Sequence, residues 1–247
     1  MWGLSVYGKI GGSNFGHYNS SKARFYRLEI MVEINTRGEL ILATVDNTSN
    51  AVEWTIREML NQPKIMQMAI EEIDLVIGSS RLVQKYDLPQ LNYVKACIKE
   101  AFRLHPISSF NVPYVSVFDT IVGEYFIPKG NVVQLSRIGL GRNPRVWEDT
   151  MKFKPERHVN EESREVVLTD SELRLLSFSI GRRGCPGMQL GSTITIMLIA
   201  RLLQGFTWSL LPNSPGNDLV QNLKCDLSSP MPLFAQAKLR LSKGMYL

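Results

Sequence analysis

The run Phe178-Ser-Ile-Gly-Arg-Arg-Gly-Cys185-Pro-Gly187 constrains this chain more than any other stretch. It sets one thiol in a glycine-rich loop, behind two arginines and just ahead of a long apolar helix, Met188 to about Gln204, that stops at Gly205. Positive charge and the free N–H groups of a helix start both favour a thiolate, and a thiolate can hold a metal. Gly181, Gly184 and Gly187 let the backbone pass close to a large flat partner. These are the attributes of a loop that presents Cys185 to haem iron as an axial ligand. An inert surface thiol or an anion-binding turn shares some of them, so the loop alone leaves all three readings open.

The rest of the chain narrows the choice. It has 247 residues, 44% of them hydrophobic, enough for one large domain or two small ones. A net charge of +5 favours an anionic surface or an acidic protein partner, but no basic block or nucleic-acid motif accompanies it, which argues against nucleic acid. Cys97, Cys185 and Cys225 are widely spaced with no Cys-x-x-Cys pair, so neither a disulfide framework nor a structural zinc site is expected. The odd cysteine count points to a reducing compartment. The longest apolar run, Ile194 to Ala200, stops at Arg201, short of membrane-spanning length.

Residues 1–38 match this pattern poorly: the first 27 or so are rich in Gly, Ser, Asn and Tyr and predict a loose segment. A domain is expected over 39–247. Its pattern predicts a helix from Glu39 to about Leu60, ended by Asn61-Gln62-Pro63, and another from Lys64 to Val76, stopped by Gly78. A third runs from about Leu88 to Leu104, with Asp87 as N-cap and Gln90 as its capping-box partner, and ends before Pro106. Residues 107–136 predict a small sheet of two or three strands, 137–177 short helices and loops, and the tail a hairpin near 233–241.

Two further constellations carry chemistry. Glu100 and Arg103 share a helix face and can pair; read alone, this is an ordinary surface pair. With Arg157 they would form a carboxylate between two guanidiniums that braces the thiolate loop. Thr44-Val-Asp46-Asn47-Thr48-Ser49 places polar groups inside an apolar helix, either as a functional kink that holds water or as a plain N-cap at Asp46 or Asn47.

In order and spacing these elements resemble the cytochrome P450 monooxygenases: an oxygen-side helix, Glu-x-x-Arg, Pro-Glu-Arg, then Phe-x-x-Gly-x-Arg-x-Cys-x-Gly, met here by Phe178, Gly181, Arg183, Cys185 and Gly187. Ala43-Thr-Val-Asp-Asn47, Asn50-Ala-Val-Glu-Trp54, Phe110-Asn-Val-Pro113 and Ser136-Arg-Ile-Gly-Leu-Gly-Arg-Asn-Pro144 resemble one plant branch, the amino-acid N-hydroxylases that form aldoximes. The resemblance implies a mainly α fold with small β-sheets, equivalent to the C-terminal, haem-binding part of the P450 fold. It implies haem b as cofactor with Cys185 as the iron ligand and no other metal. Phe178, Gly181, Arg183 and Gly187 would bind the cofactor, Pro186 would take the first helical position, and Asp46 and Asn47 would organise water on the oxygen side. Electrons would come from an NADPH-cytochrome P450 reductase, docked in part by Arg182, at the cytosolic face of the endoplasmic reticulum. The departures are Thr48, where the branch usually has Pro; Tyr114, where it usually has His; and Cys185-Pro-Gly187, the general superfamily form. The membrane anchor and the early helices lie outside the resemblance, so a truncated, non-catalytic remnant of such an enzyme is the competing expectation.

Overall fold

A computed structural model describes residues 44–159, 165–169, 173–211 and 233–246. The loose segment expected over 1–38, the start of the first helix at Glu39, and Cys225 lie outside the described residues.

Helix α1 is continuous over 44–61. It buries Thr48, Ala51, Thr55, Ile56, Met59 and Leu60, a stripe with helical spacing. The helix passes unbroken through Asp46 and Asn47, so the N-cap reading does not hold. Pro63 then opens α2 (Pro63–Val76), where its missing N–H costs nothing. Gly78 takes φ +77° and sends its N–H back to the Asp74 carbonyl at 3.0 Å, closing the helix as a left-handed cap.

The third helix differs from expectation. Lys85–Gln90 forms a 3-10 turn, and α3 runs from Asn92 to Leu104. Pro89 disfavours the α conformation at Leu88. Asp87 is buried, accepts the Gln84 N–H at 2.8 Å, and is held bidentately by Arg81 at 2.7 and 2.8 Å. The cap of α3 is tertiary: the Glu72 carboxylate, from α2, accepts the N–H groups of Tyr93 (2.7 Å) and Val94 (3.0 Å).

Two two-stranded antiparallel ladders follow in place of one small sheet: β1 (Tyr114–Val115) with β4 (Val132–Val133), and β2 (Thr120–Val122) with β3 (Tyr125–Ile127). The short α4 (Arg137–Gly141) is capped by the Ser136 hydroxyl, which accepts the Gly139 N–H at 2.9 Å. A 3-10 turn covers Pro155–His158, and α5 spans Met188–Gly205. The tail strand β6 (Ala235–Leu239) exists, but its partner is β5 (Phe206–Leu210), directly after α5, rather than a neighbour within 233–241.

The core lies among α1, α2, α3 and α5, with Met59, Ile73, Val94, Ile98, Ile199 and Leu203 fully buried. Gln204 locks α5 to the α2–α3 connection: its Oε1 accepts the Val83 N–H at 2.9 Å, and its amide donates to the carbonyls of Gly78 and Arg81. Among the described residues no helix is long and apolar enough to cross a membrane.

Candidate haem-thiolate site

The segment from Phe178 to Gly187 folds back on itself. The Cys185 N–H donates to the Phe178 carbonyl at 2.8 Å, and the Gly184 N–H to Gly181 at 3.0 Å, across a 3-10 turn at Gly181–Arg183. Gly181 sits at φ +70°, a conformation that favours glycine. A Cβ on Gly184 would come within 3.2 Å of the Gly181 carbonyl oxygen. These two glycines therefore set the loop's tight path. Cys185 ends up exposed, with its thiol free of any disulfide. A Cβ on Gly187 would touch Cys185 Sγ at 3.8 Å, so a side chain there would begin to crowd the sulfur.

Pro186 does not take the first helical position. It lies in a turn, and α5 begins at Met188, whose N–H meets the Cys185 carbonyl at 3.4 Å.

Side chains anchor the loop at two points. Phe178 packs edge-on against Phe102 of α3, ring centroids 5.7 Å apart. Tyr114, from β1, lies with its hydroxyl 3.2 Å from Ser179 Oγ, and its ring sits beneath the Arg183 guanidinium at 6.0 Å.

Below α3 the carboxylate cluster forms as the spacing suggested, and deeper. Glu100 and Arg103 are both fully buried. Glu100 accepts from Arg103 Nε (2.9 Å) and Nη2 (2.8 Å), Arg157 Nε (3.0 Å) and the Lys154 N–H (2.9 Å). A fifth hydrogen bond, which the motif reading missed, comes from His158 Nε2 at 2.8 Å. Burial pushes the Glu100 carboxyl up, but the His158 and Arg103 hydrogen bonds and the Arg103 charge outweigh it and bring it down to about 2. Burial pulls His158 below the usual histidine value, so the neutral ring donates from Nε2. Trp147, also unread in the sequence, receives the guanidiniums of Arg174 (5.1 Å), Arg103 (5.5 Å) and Arg157 (5.9 Å).

The cluster does not bond the thiolate loop. Arg103 donates instead to the carbonyls of Gly141 (2.6 Å), Thr150 (2.6 Å) and Lys152 (2.9 Å), fixing the meander before Pro155. The link from α3 to the loop is the adjacent Phe102–Phe178 contact. Asp46 is exposed and Asn47 half-buried on α1, and no side-chain hydrogen bond joins either to another described residue.

A profile of the cytochrome P450 family matches residues 20–232. The chain belongs to the cytochrome P450 family. It is 55% identical over 88% of its length to a phenylalanine N-monooxygenase of Prunus mume, covering 40% of that protein. It is 55% identical over 86% to valine N-monooxygenase 1 of Manihot esculenta, covering 39%, and 55% identical over 84% to phenylalanine N-monooxygenase of Arabidopsis thaliana, also covering 39%. The chain thus spans about two fifths of these relatives. The family cofactor is haem b, and the P450 site around Cys185 suits it chemically. An accessible sulfur lies beside a glycine-lined loop. Arg183, two residues before Cys185, has no carboxylate partner among the described residues and would suit the propionates of haem. P450 enzymes act on small molecules with electrons from a redox partner.

Proposed function

We propose that this polypeptide is the haem-binding portion of a haem-thiolate monooxygenase that N-hydroxylates an amino acid and delivers an aldoxime. The observation that carries the reading is Cys185, held exposed by the Phe178–Cys185 hydrogen bond on a loop whose glycines the backbone requires. The names of the similar proteins, N-monooxygenases for phenylalanine and valine, support the substrate class.

Haem b bound through the Cys185 thiolate supplies oxygen activation, with the thiolate donating electron density. The chain's residues serve that chemistry in separate ways. The Phe178 carbonyl, which accepts the Cys185 N–H at 2.8 Å, fixes the backbone that presents the sulfur. Gly181 and Gly187 would leave room for the porphyrin. Arg183 would pair with a haem carboxylate. Asn47 positions water on the oxygen side, and Asp46 supplies the carboxylate that orders it. Glu100, Arg103 and Arg157 hold the meander in register. The substrate nitrogen is hydroxylated twice, and loss of water and carbon dioxide yields the aldoxime. An NADPH-cytochrome P450 reductase delivers electrons, docking on basic residues that include Arg182, at the cytosolic face of the endoplasmic reticulum.

A second reading, a chain that is not catalytic by itself, draws on the exposure of Phe118, Ile121, Tyr125 and Phe126, an apolar patch of the kind that a further segment or a partner covers. The carbon monoxide difference spectrum of the reduced, haem-supplied 247-residue chain separates the two. A thiolate-type Soret band that disappears in Cys185→Ser supports ligation. A soluble chain without that band, or an unchanged band in the variant, refutes it for this polypeptide.

A further inference from the structure

Among the described residues, four arginines carry a buried Nε without a hydrogen bond: Arg57, Arg137, Arg142 and Arg174. Three have other described partners. Arg57 pairs with Glu53, Arg142 donates to the Leu104 carbonyl, and Arg174 sits over Trp147. Arg137 alone has no side-chain hydrogen bond or ion pair to a described residue. Arg137 is half-buried, and a buried Nε donor without an acceptor is costly unless an anion meets the guanidinium.

Its position says which anion. The Arg137 N–H donates to the Ser109 carbonyl at 2.9 Å, Phe110 bridges Ser136, and Asn111 pairs with Leu135 through both backbone and side chain. This ribbon runs directly into the Tyr114–Val133 pair of β1 and β4. The backbone under Arg137 is therefore fixed on the piece of structure that carries Tyr114 to the thiolate loop. Tyr114 in turn touches Ser179 and Arg183. The electrostatic neighbours of the Arg137 guanidinium include Cys185 and Tyr114.

We infer that Arg137 is a haem-anchoring residue whose guanidinium binds one of the cofactor's two propionate carboxylates, beside Arg183. This rests on the reading of Cys185 as the haem ligand. A guanidinium fork suits a carboxylate bidentately, and the contact is charge-assisted.

The test compares two cofactors that differ only at the carboxylates. Ferric haem b and its dimethyl ester are titrated into the full 247-residue chain, its Arg137→Gln variant and its Arg137→Lys variant, with affinity read from the Soret band. Arg137→Gln should bind haem b more weakly by on the order of tenfold to a hundredfold while its affinity for the diester stays unchanged. Arg137→Lys keeps the charge but not the fork, and should recover part of the preference for haem b over the diester. Equal losses toward both cofactors, or no loss toward either, overturn the inference and place the partner of Arg137 within the protein. If Arg137→Gln does not fold, the same comparison on Arg137→Lys decides: a preference identical to the parent's overturns the assignment. A parent chain that takes up no haem b refutes the ligation reading, and this one with it. Uptake with a thiolate spectrum and an unchanged preference in the variants refutes this one alone.

Discussion

Glu100→Gln tests the buried cluster most directly. The carboxylate accepts five hydrogen bonds from four residues, three of them from guanidiniums. Glutamine keeps the shape but offers one acceptor oxygen and an NH2 group that can only face other donors. Arg103 would remain fully buried as an uncompensated charge, a loss that typically costs about 3–5 kcal/mol. The titration gives an independent figure. Glu100 is lowered from the ordinary 4.5 to about 2, which corresponds to about 3 kcal/mol of preference for the ionised form in the folded state. Because the folded value lies below the unfolded one, this stabilisation is complete above about pH 4.5 and disappears as pH falls towards 2. Urea unfolding followed by far-UV circular dichroism and tryptophan fluorescence, at intervals from pH 7 to 2, reads both effects. Glu100→Gln should be about 3 kcal/mol less stable at pH 7, a large share of the ~5–15 kcal/mol of a typical domain, and the gap should close on acidification. A gap below about 1 kcal/mol at pH 7, or one that is the same at pH 7 and pH 2.5, would refute the account.

Gly141→Ala should be severely destabilising, by roughly 3 kcal/mol or more, because the new Cβ would lie 2.2 Å from the Arg103 carbonyl oxygen, a backbone atom that cannot swing away; a melting temperature within two or three degrees of the parent's (about 1 kcal/mol) contradicts this. Gln204→Leu strands the Val83 N–H and two carbonyls and should cost about 2–3 kcal/mol in urea unfolding, whereas a neutral result would mean that water replaces the amide. His158 titrates with the same sign as Glu100: burial lowers it, so the stability it contributes is present above about pH 6.5 and is lost as pH falls through its folded value. A His158→Gln variant should therefore show a shallower loss of stability as pH falls below 6.5, and an unchanged slope there argues against a neutral His158. Asn47→Thr should leave haem content unchanged while altering the product formed per NADPH consumed; loss of haem would mean that Asn47 holds structure and not water.

Much of the site was legible because local chemistry demanded it. The glycines at 181 and 184 are written in the sequence because one takes a positive φ and the other packs so close to a carbonyl that a Cβ would have to push it aside. Glu100 and Arg103, three apart on an amphipathic helix, had to meet. Their complete burial could not be read from that spacing, since exposed pairs share it; it depends on the meander supplying three carbonyls and on His158 and Trp147 closing over the pair. His158 stands next to Arg157 in the sequence, yet an adjacent histidine has no fixed direction until a 3-10 turn aims it.

Where expectation failed, a distant partner had won. Asp87 resembles an N-cap because Asp before an apolar run is one, but Arg81 and Gln84 claim its carboxylate, and Glu72 from another helix caps α3 instead. The tail strand carries a β pattern with nothing to say which edge it joins, and β5 takes it from far along the chain. The sequence by itself determined the helices, the loop and the thiol, because 3.6-residue periodicity, glycine conformation and cysteine chemistry are properties of neighbours. Only the tertiary structure decided which charges are buried together, which helix end is capped by which carboxylate, and that the Nε of Arg137 is buried without an acceptor. Those outcomes depend on desolvation and on distances across the fold, and neither is a function of local spacing.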